Sequence, residues 1–240
     1  GVMRGEEGEG VKSTDDAAKL TLLEPLKRVE GDRSRIRSSP SMLLPSKALA
    51  QLAGMGFVDT PPGLDGVRRL APLVVQVGDE VYPTLSLRSV MEYWRAKPEN
   101  VHVVLGDAIT IDAPLAHRRI PIDETGAYRV NYRYALEGAT AYGYSALMSG
   151  LTELYQRKGP VELPSLTGKI VFVGQVADGL ADMGPTPFSP LTPLVLVHVN
   201  VVDNILREDY VRQPSTSLIW LAAVMIGAAG LARFSNRKLR

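Results

Sequence analysis

The amino-acid sequence predicts a mixed α/β fold: a central mixed sheet with flanking helices, followed by one C-terminal transmembrane helix. The unbroken apolar run at residues 170–173 lies between Gly168 and Gly174, and such a run is typical of a strand buried on both faces. Residues 85–95 have the apolar spacing of an amphipathic helix. Residues 217–232 contain no charged side chain, and their length approaches that of a membrane span.

Composition limits the classes of protein that the chain can represent. Its 240 residues are enough for one substantial core, or for a domain with appendages. The formal net charge of +1 gives no general attraction for nucleic acid, so we expect no nucleic-acid partner. The absence of cysteine excludes disulfide bonds and thiolate metal sites. No phosphate-cradling loop occurs, and we expect neither a cofactor nor a metal ion.

The N-terminal part of the chain begins with a flexible segment and contains two short helices. Residues 1–13 are rich in glycine and acidic side chains. A helix is predicted over residues 17–26, because Thr14 and the two aspartates after it supply a cap and negative charge at its start. A second helix is predicted over residues 46–52, before a short strand at residues 57–59.

Between these two helices, residues 27–45 are polar and make a poor strand, so a solvated loop is predicted. The segment carries a basic cluster formed by Arg33, Arg35 and Arg37. The alternative is that this cluster contacts an acidic ligand or a lipid head group.

Three turns that contain glycine and aspartate predict β-hairpins in the middle of the chain, because these residues favour tight connections. The turns lie at residues 78–79, 106–107 and 123–126. The flanking strands are predicted at residues 69–77 and 81–82, 101–105 and 108–111, and 119–122 and 128–132. A helix over residues 144–157 is expected to pack on the sheet.

The buried strand predicted at residues 170–173 leads into a loop rich in proline and aspartate. A second apolar run follows at residues 194–197, and helical spacing begins at residue 199 and continues to residue 206. In that predicted helix Val202 and Ile205 lie on one face.

The C-terminal apolar run predicts a transmembrane helix over residues 215–233. About 18 residues give roughly 27 Å of helix, close to the roughly 30 Å hydrocarbon core of a bilayer. Lysine and arginine beside a span stay on the cytoplasmic side, so we expect the basic tail 234–240 inside the cell and residues 14–213 outside. The alternative is a core helix buried in a soluble protein.

Several short motifs follow one another in a recognisable order. The first are Asp-Gly-Val-Arg-Arg at residues 65–69, and Ile-Pro-Ile-Asp at residues 120–123 with Gly126 and Asn131-Tyr132 after it. The later ones are the Gly-Lys-Ile-Val-Phe-Val-Gly strand at 168–174, Gly179-Leu180 with Asp182, Thr186-Pro187, and His198-Val199-Asn200. This succession resembles the CHASE2 family, the extracytoplasmic sensor domains of bacterial signalling receptors.

The resemblance implies a sensor domain over residues 14–213, and we expect the domain's N-terminal part to lie outside this chain. It implies that a ligand or an environmental stimulus is relayed through the membrane helix to a cytoplasmic effector absent from this chain. Such effectors are adenylate or guanylate cyclases, diguanylate cyclases and kinases. We therefore expect no enzymatic activity in the chain itself. We also expect a location in the cell membrane with the bulk of the chain extracytoplasmic, and a homodimer.

The first group of ligand-binding candidates is Asp178, Asp182, Thr186, His198 and Asn200. Their oxygen atoms and imidazole are groups that hold ligands or ions. The alternative is structural, with Asp182 bonding backbone amides and His198 packing at a strand end.

The second group of candidates is Asp65, Arg68 and Arg69, whose guanidinium groups suit a carboxylate or a phosphate. The alternative is a turn aspartate with an ordinary surface ion pair.

No catalytic residues are assigned, because no ordered set of acid, base and nucleophile is recognised. Two other functions stay open at this point: a membrane-tethered hydrolase or transferase, and a dimerisation module without a ligand.

Overall fold

The computed structural model describes residues 3–4, 23–39, 42–43, 53–156, 164–176, 182–211, 220–229 and 233. It divides the chain into two units, residues 1–210 and 211–240. The first unit is a mixed α+β domain, as the sequence predicts. The helix predicted over residues 46–52 lies outside the described residues, as do residues 17–22 of the helix predicted over residues 17–26. Residues 23–26 are described and are not helical, so that part of the prediction is wrong.

The described part of the first unit consists mainly of short strands, with α-helices between and after them. Its strands are β1 (Met3–Arg4), β2 (Arg28–Glu30), β3 (Met42–Leu43), β4 (Leu70–Pro72), β5 (Val74–Val77), β6 (Glu80–Pro83), β7 (Val101–Val104), β8 (Ala108–Ala113), β9 (Ala116–Pro121), β10 (Ala127–Arg129), β11 (Met183–Gly184) and β12 (Thr192–Pro193). Its helices are α1 (Leu85–Tyr93), α2 (Tyr144–Tyr155) and α3 (Val195–Arg207).

The largest sheet among the described residues has four strands, in the order β2-β7-β8-β9. Strand β2 runs parallel to β7, whereas β7, β8 and β9 are antiparallel, so the sheet is mixed. The remaining strands form two-stranded ribbons: β1-β3, β4-β10, β5-β6 and β11-β12. The expected solvated loop at residues 27–45 is therefore wrong for Arg28–Glu30 and also for Met42–Leu43, which pairs with β1. Parallel pairing with β7 makes the short polar segment Arg28–Glu30 a strand, and its own sequence carries no signal of that pairing.

Two of the three predicted hairpins are confirmed and the third is wrong. Strands β5 and β6 pair across the turn at residues 78–79, and β7 and β8 pair across residues 106–107. The turn at residues 123–126 does form, since the Gly126 amide donates to the Asp123 carbonyl at 3.0 Å. The strands on either side of it nevertheless pair elsewhere, β9 with β8 and β10 with β4.

The core lies between the sheet, the ribbons and the helices α1 and α3, which pack against each other. From the sheet, Val103 and Ile109 are fully buried, and from α1 Leu87 is fully buried. From α3, Val201 and Ile205 are likewise fully buried. The apolar face of α1 is therefore covered as predicted.

Residues 170–173 do not form the predicted strand. Val171 and Val173 are 51% and 77% exposed, while Ile170 and Phe172 pack against the core. A strand buried on both faces needs a covering layer on each side, and only one side of this segment meets the core. The apolar run at residues 170–173 predicts burial, but it does not show whether other elements cover both of its sides.

The helices near this segment also differ from expectation. Helix α2 forms close to the predicted position, but none of its residues is buried, so it does not pack on the sheet as expected. Helix α3 begins at Val195, so the apolar run at residues 194–197 is mostly its first turn. In a short segment the apolar spacing does not distinguish a strand from a buried helix.

In the second unit, residues 220–229 form a helix, α4. Among the described residues, no helix combines the length and the apolar character needed to cross a bilayer. The remainder of the predicted span 215–233, apart from residue 233, lies outside the described residues.

Candidate functional site

Asn200 lies on the buried face of α3 and is fully buried. Its side-chain oxygen accepts hydrogen bonds from the backbone amides of Arg133 at 2.7 Å and Tyr134 at 3.0 Å. Its amide nitrogen donates to the carbonyls of Tyr134 at 3.1 Å and Leu196 at 2.8 Å. The whole hydrogen-bonding capacity of this candidate is used inside the fold.

One helical turn later, Asn204 repeats the arrangement and is also fully buried. Its oxygen accepts from the Asn131 backbone amide, and its nitrogen donates to the Asn131 carbonyl, both at 2.9 Å. The hydroxyl of Tyr128 donates to the same oxygen at 3.3 Å. The two side-chain amides thus act as extra peptide groups that fix α3 to the segment after β10. We call Asn200 and Asn204 the asparagine pair.

His198 lies on the same helix, and its side chain is buried. Its Nε2 lies 3.1 Å from the Val58 carbonyl, and its Nδ1 lies 2.8 Å from the Ser86 hydroxyl. A carbonyl can only accept, so Nε2 carries the proton and Nδ1 accepts from Ser86. The Phe172 ring stacks on the imidazole with centroids 6.4 Å apart. Burial lowers the pKa of His198, which favours the neutral ring.

The other members of the first candidate group do not gather around His198 as a ligand site. Thr186 is buried, and its hydroxyl lies 2.8 Å from that of Thr192. The backbone carbonyl of Asp182 accepts from the Leu194 amide at 3.0 Å, just before α3 begins. Asp178 lies outside the described residues. The contacts of the described members hold the start of α3 in place.

The second candidate group begins at a tight turn over residues 63–67. The Gly66 amide donates to the Gly63 carbonyl at 2.9 Å, and the Val67 amide donates to the Asp65 carboxylate at 3.1 Å. Gly66 has φ +80°, a conformation that glycine adopts without strain. The other carboxylate oxygen of Asp65 accepts from Arg69 at 2.6 Å. The Arg69 hydrogen bond holds the pKa of Asp65 below its usual value, so this carboxyl is ionised at neutral pH.

Arg68 faces away from its two partners in the candidate group. Its Nε donates to the Thr60 carbonyl at 2.6 Å, and its backbone amide donates to the Pro185 carbonyl at 3.0 Å. A Cβ at Gly184 would overlap the Arg68 guanidinium, so glycine there leaves the room that the arginine occupies. The Tyr132 hydroxyl donates to the Arg68 carbonyl at 2.7 Å, and burial raises the pKa of Tyr132 to about 12. Arg68 therefore joins three segments of the fold.

Asp65 and Arg69 line a groove of about 550 Å³ on the first unit. Its floor is the outer face of the β4-β10 ribbon, in which the alternate residues Ala71 and Tyr128 are buried in the core. The lining residues from these two strands are Leu70, Pro72, Ala127 and Arg129. A second part of the lining, which we call the wall, contains Arg35 and Arg37.

We call this the arginine groove. Its lining carries four arginines and one aspartate, a net formal charge of +3. In the sequence, Arg35 and Arg37 stand out only as members of a basic cluster, and nothing singles out Arg129. Arg129 lies on a short strand, and its sequence position alone does not predict a binding site, because the groove forms only when β4 and β10 pair.

Among the described residues, no group of three or more histidine, aspartate or glutamate side chains is placed to hold a metal ion.

These observations define a mixed α+β domain whose last helix is fixed by buried asparagines and whose surface carries a basic groove. Residues 11–232 match the family model described as the CHASE2 domain, and the chain belongs to this family. The family comprises extracellular sensory domains of signalling receptors. Neither a search of curated proteins nor a search of solved structures returned a match.

Proposed function

We propose that this chain is the sensory input domain of a membrane receptor and relays a stimulus through its C-terminal segment to a cytoplasmic effector. The observation that carries the proposal is the match to the CHASE2 family over residues 11–232. The sequence at the end of the match supports it. Residues 217–232 contain no charge, and the segment 233–240 carries four basic and no acidic side chains. Basic residues after an apolar span favour a cytoplasmic tail.

The relay that we propose runs through α3. This helix is the last element of the first unit, and along the chain it leads to the apolar run at residues 217–232. Its attachment to the segment after β10 depends on polar contacts of the asparagine pair, which have a defined geometry. A ligand that binds one position of α3 better than another shifts the equilibrium between them by that difference in affinity. The shift then reaches the apolar run through the chain itself.

Enzymatic function in this chain has less support. The histidine among the candidates, His198, is buried between a carbonyl and a hydroxyl, and burial lowers its pKa, which favours the neutral ring even though the Asp182 charge acts in the opposite direction. We propose that catalysis belongs to the effector and that this chain supplies the input.

A homodimer is the second proposal, and the exposed apolar side chains of α2 favour it. Tyr144, Met148, Leu151 and Tyr155 recur at helical spacing and are exposed, with Leu151 at 47%. A second copy of the chain would cover them. Replacement of Leu151 with glutamate should then convert a dimer into a monomer in analytical ultracentrifugation. A wild-type chain that sediments as a monomer would contradict the dimer.

Fusion of an adenylate cyclase catalytic domain after Arg240 tests the input function. Because its substrate ATP is cytoplasmic, the fusion makes cyclic AMP in cells without their own cyclase only if the tail is inside. Asn204→Ala weakens the attachment of α3 and should change cyclic AMP production at equal abundance in the membrane. Arg119→Gln, which removes an exposed ion pair with Asp107 outside α3, serves as the matched control. Output that is the same in both variants and in the wild type would refute the relay.

A further inference from the structure

We infer that the arginine groove binds a small polyanion, a molecule that carries two or more phosphate or carboxylate groups. The groove has a volume of about 550 Å³. Pockets that hold small molecules typically measure roughly 300–1,000 Å³, so the groove has room for more than one anionic group. The four arginines outnumber the carboxylates of Asp65 in the lining and of Glu124, which pairs with Arg35, and this excess of positive charge attracts anions and repels cations.

The arginines come from three segments that the backbone holds in place. Arg35 and Arg37 flank Ile36, whose side chain is buried in the core. The Gln76 amide on β5 donates to the Arg37 carbonyl, and the Ser39 amide donates to the Gln76 carbonyl, both at 3.0 Å. This wall is therefore tied to a hairpin of the first unit. A guanidinium group held on a fixed backbone loses less freedom when it binds an anion.

Arg69 and Arg129 are brought to the groove by the pairing of β4 and β10. The Val130 amide donates to the Arg69 carbonyl at 3.0 Å, directly beyond the three paired residues of the ribbon. Because the arginines of this floor and those of the wall come from separate segments, they can meet two separate anionic groups of one ligand. The planar guanidinium suits phosphate and carboxylate because two parallel N–H donors match two oxygen atoms.

The acidic residues near the groove show how an anion is selected. Asp65 pairs with Arg69, and Glu124 pairs with Arg35 at the edge of the groove. The four side chains of these two pairs are all about half exposed, and exposed ion pairs of this kind are weak. An incoming anion must displace these carboxylates, so a ligand with several charged groups competes better than a monovalent ion.

Titration of the full chain in a non-ionic detergent tests the inference, with pyrophosphate and citrate as probes. The measurement is isothermal calorimetry at constant ionic strength. Arg129→Gln should weaken binding of the preferred probe by about ten-fold, because one charge-assisted contact is lost. Arg119→Gln is the control, since it removes an arginine of the same type that lies outside the groove. Equal losses in the two variants would show general charge attraction and overturn the inference.

A variant that gains affinity separates binding from damage to the fold. Asp65→Asn keeps the oxygen that accepts from the Val67 amide and removes only the competing charge. We expect it to bind the same probe about five-fold more tightly, because one competing ion pair is lost. Misfolding cannot raise affinity. Unchanged or weaker binding by Asp65→Asn would contradict the competition between the ligand and this carboxylate, and with it the inferred site.

Dioctanoyl phosphatidylinositol 4-phosphate, whose headgroup carries two phosphate groups, distinguishes a lipid source from a soluble source in the same titration. Binding of pyrophosphate or citrate that depends on Arg129 assigns the groove to a soluble anion. Binding of the lipid alone, with the same dependence, assigns it to a lipid headgroup. No binding of any of the three probes at millimolar concentration overturns the inference. The role of the groove as a stimulus site rests on the proposed function, whereas binding itself does not. If a probe binds the groove but the cyclase fusion makes no cyclic AMP, the inferred binding site is retained and the proposed receptor function is refuted.

Discussion

Replacement of Asn204 with alanine should lower the free energy of unfolding of the first unit by at least about 3 kcal/mol. Asn204 makes two hydrogen bonds of 2.9 Å with the Asn131 backbone and accepts one of 3.3 Å from Tyr128. Each intramolecular hydrogen bond contributes roughly 1 kcal/mol net, and more where its partner stays buried and unsatisfied. Removal of a fully buried side chain adds the cost of a cavity, so about 3 kcal/mol is a lower bound.

The assay is urea unfolding of the full chain in non-ionic detergent, followed by circular dichroism. The matched control is Arg207→Gln on the same helix, which removes the ion pair between the exposed Arg207 and the largely covered Asp203. Arg133 lies 3.9 Å from the same carboxylate and stays as its cationic partner, so this variant should cost about 1 kcal/mol or less. A third variant, Asn204→Asp, loses the donor to Asn131 and buries a carboxylate. Burial raises the pKa of such a carboxyl, so the loss in the free energy of unfolding relative to the wild type should be largest at neutral pH. The deficit should shrink in acid, where the protonated group donates again. An Asn204→Ala deficit no larger than that of Arg207→Gln would refute the role given to the asparagine pair.

Two further predictions concern pH and backbone conformation. Burial lowers the pKa of His198 from its ordinary value of 6.5, so the unfolded chain binds more protons below that value, and stability should fall as pH drops from about 6.5 toward the folded pKa. His198→Gln should flatten this part of the stability curve, and an unchanged curve would show that another group causes it. Gly126→Ala should destabilise the fold by at least about 1 kcal/mol more than Gly78→Ala. Both glycines have positive φ, but a Cβ at Gly126 would overlap Val74, whereas Gly78 faces open space. Equal costs in urea unfolding would contradict the contact.

Local signals in the sequence were sufficient where one short segment determines the structure. The turns at residues 78–79 and 106–107 each bring their own strands together, and the apolar spacing of α1 specifies its buried face. The turn at residues 123–126 also formed, but a turn fixes only the direction of the chain. Strand β10 pairs with β4, which lies far away in the sequence, and this pairing cannot be read from the turn.

Long-range pairing explains the remaining errors. The segment Arg28–Glu30 has little strand propensity beyond that of Val29, and it becomes a strand because it pairs in parallel with β7. The groove could not be predicted for the same reason, since Arg35 and Arg129 meet only in the folded domain. A buried asparagine on a helix indicates either a ligand or a structural contact. In the structure, Asn200 makes structural contacts, because its side chain forms hydrogen bonds with the backbone of the chain itself.

The most direct test of the account is the side of the membrane on which each part of the chain lies. The sequence has no cysteine, so single-cysteine variants can be labelled without background. Leu115 is 61% exposed at the turn between β8 and β9, and Ser235 lies in the basic tail. In intact spheroplasts, a membrane-impermeant maleimide should label Leu115→Cys at once and Ser235→Cys only after permeabilisation. Labelling of Ser235→Cys in intact spheroplasts, or protection of Leu115→Cys until lysis, would contradict an extracytoplasmic input domain with a cytoplasmic tail.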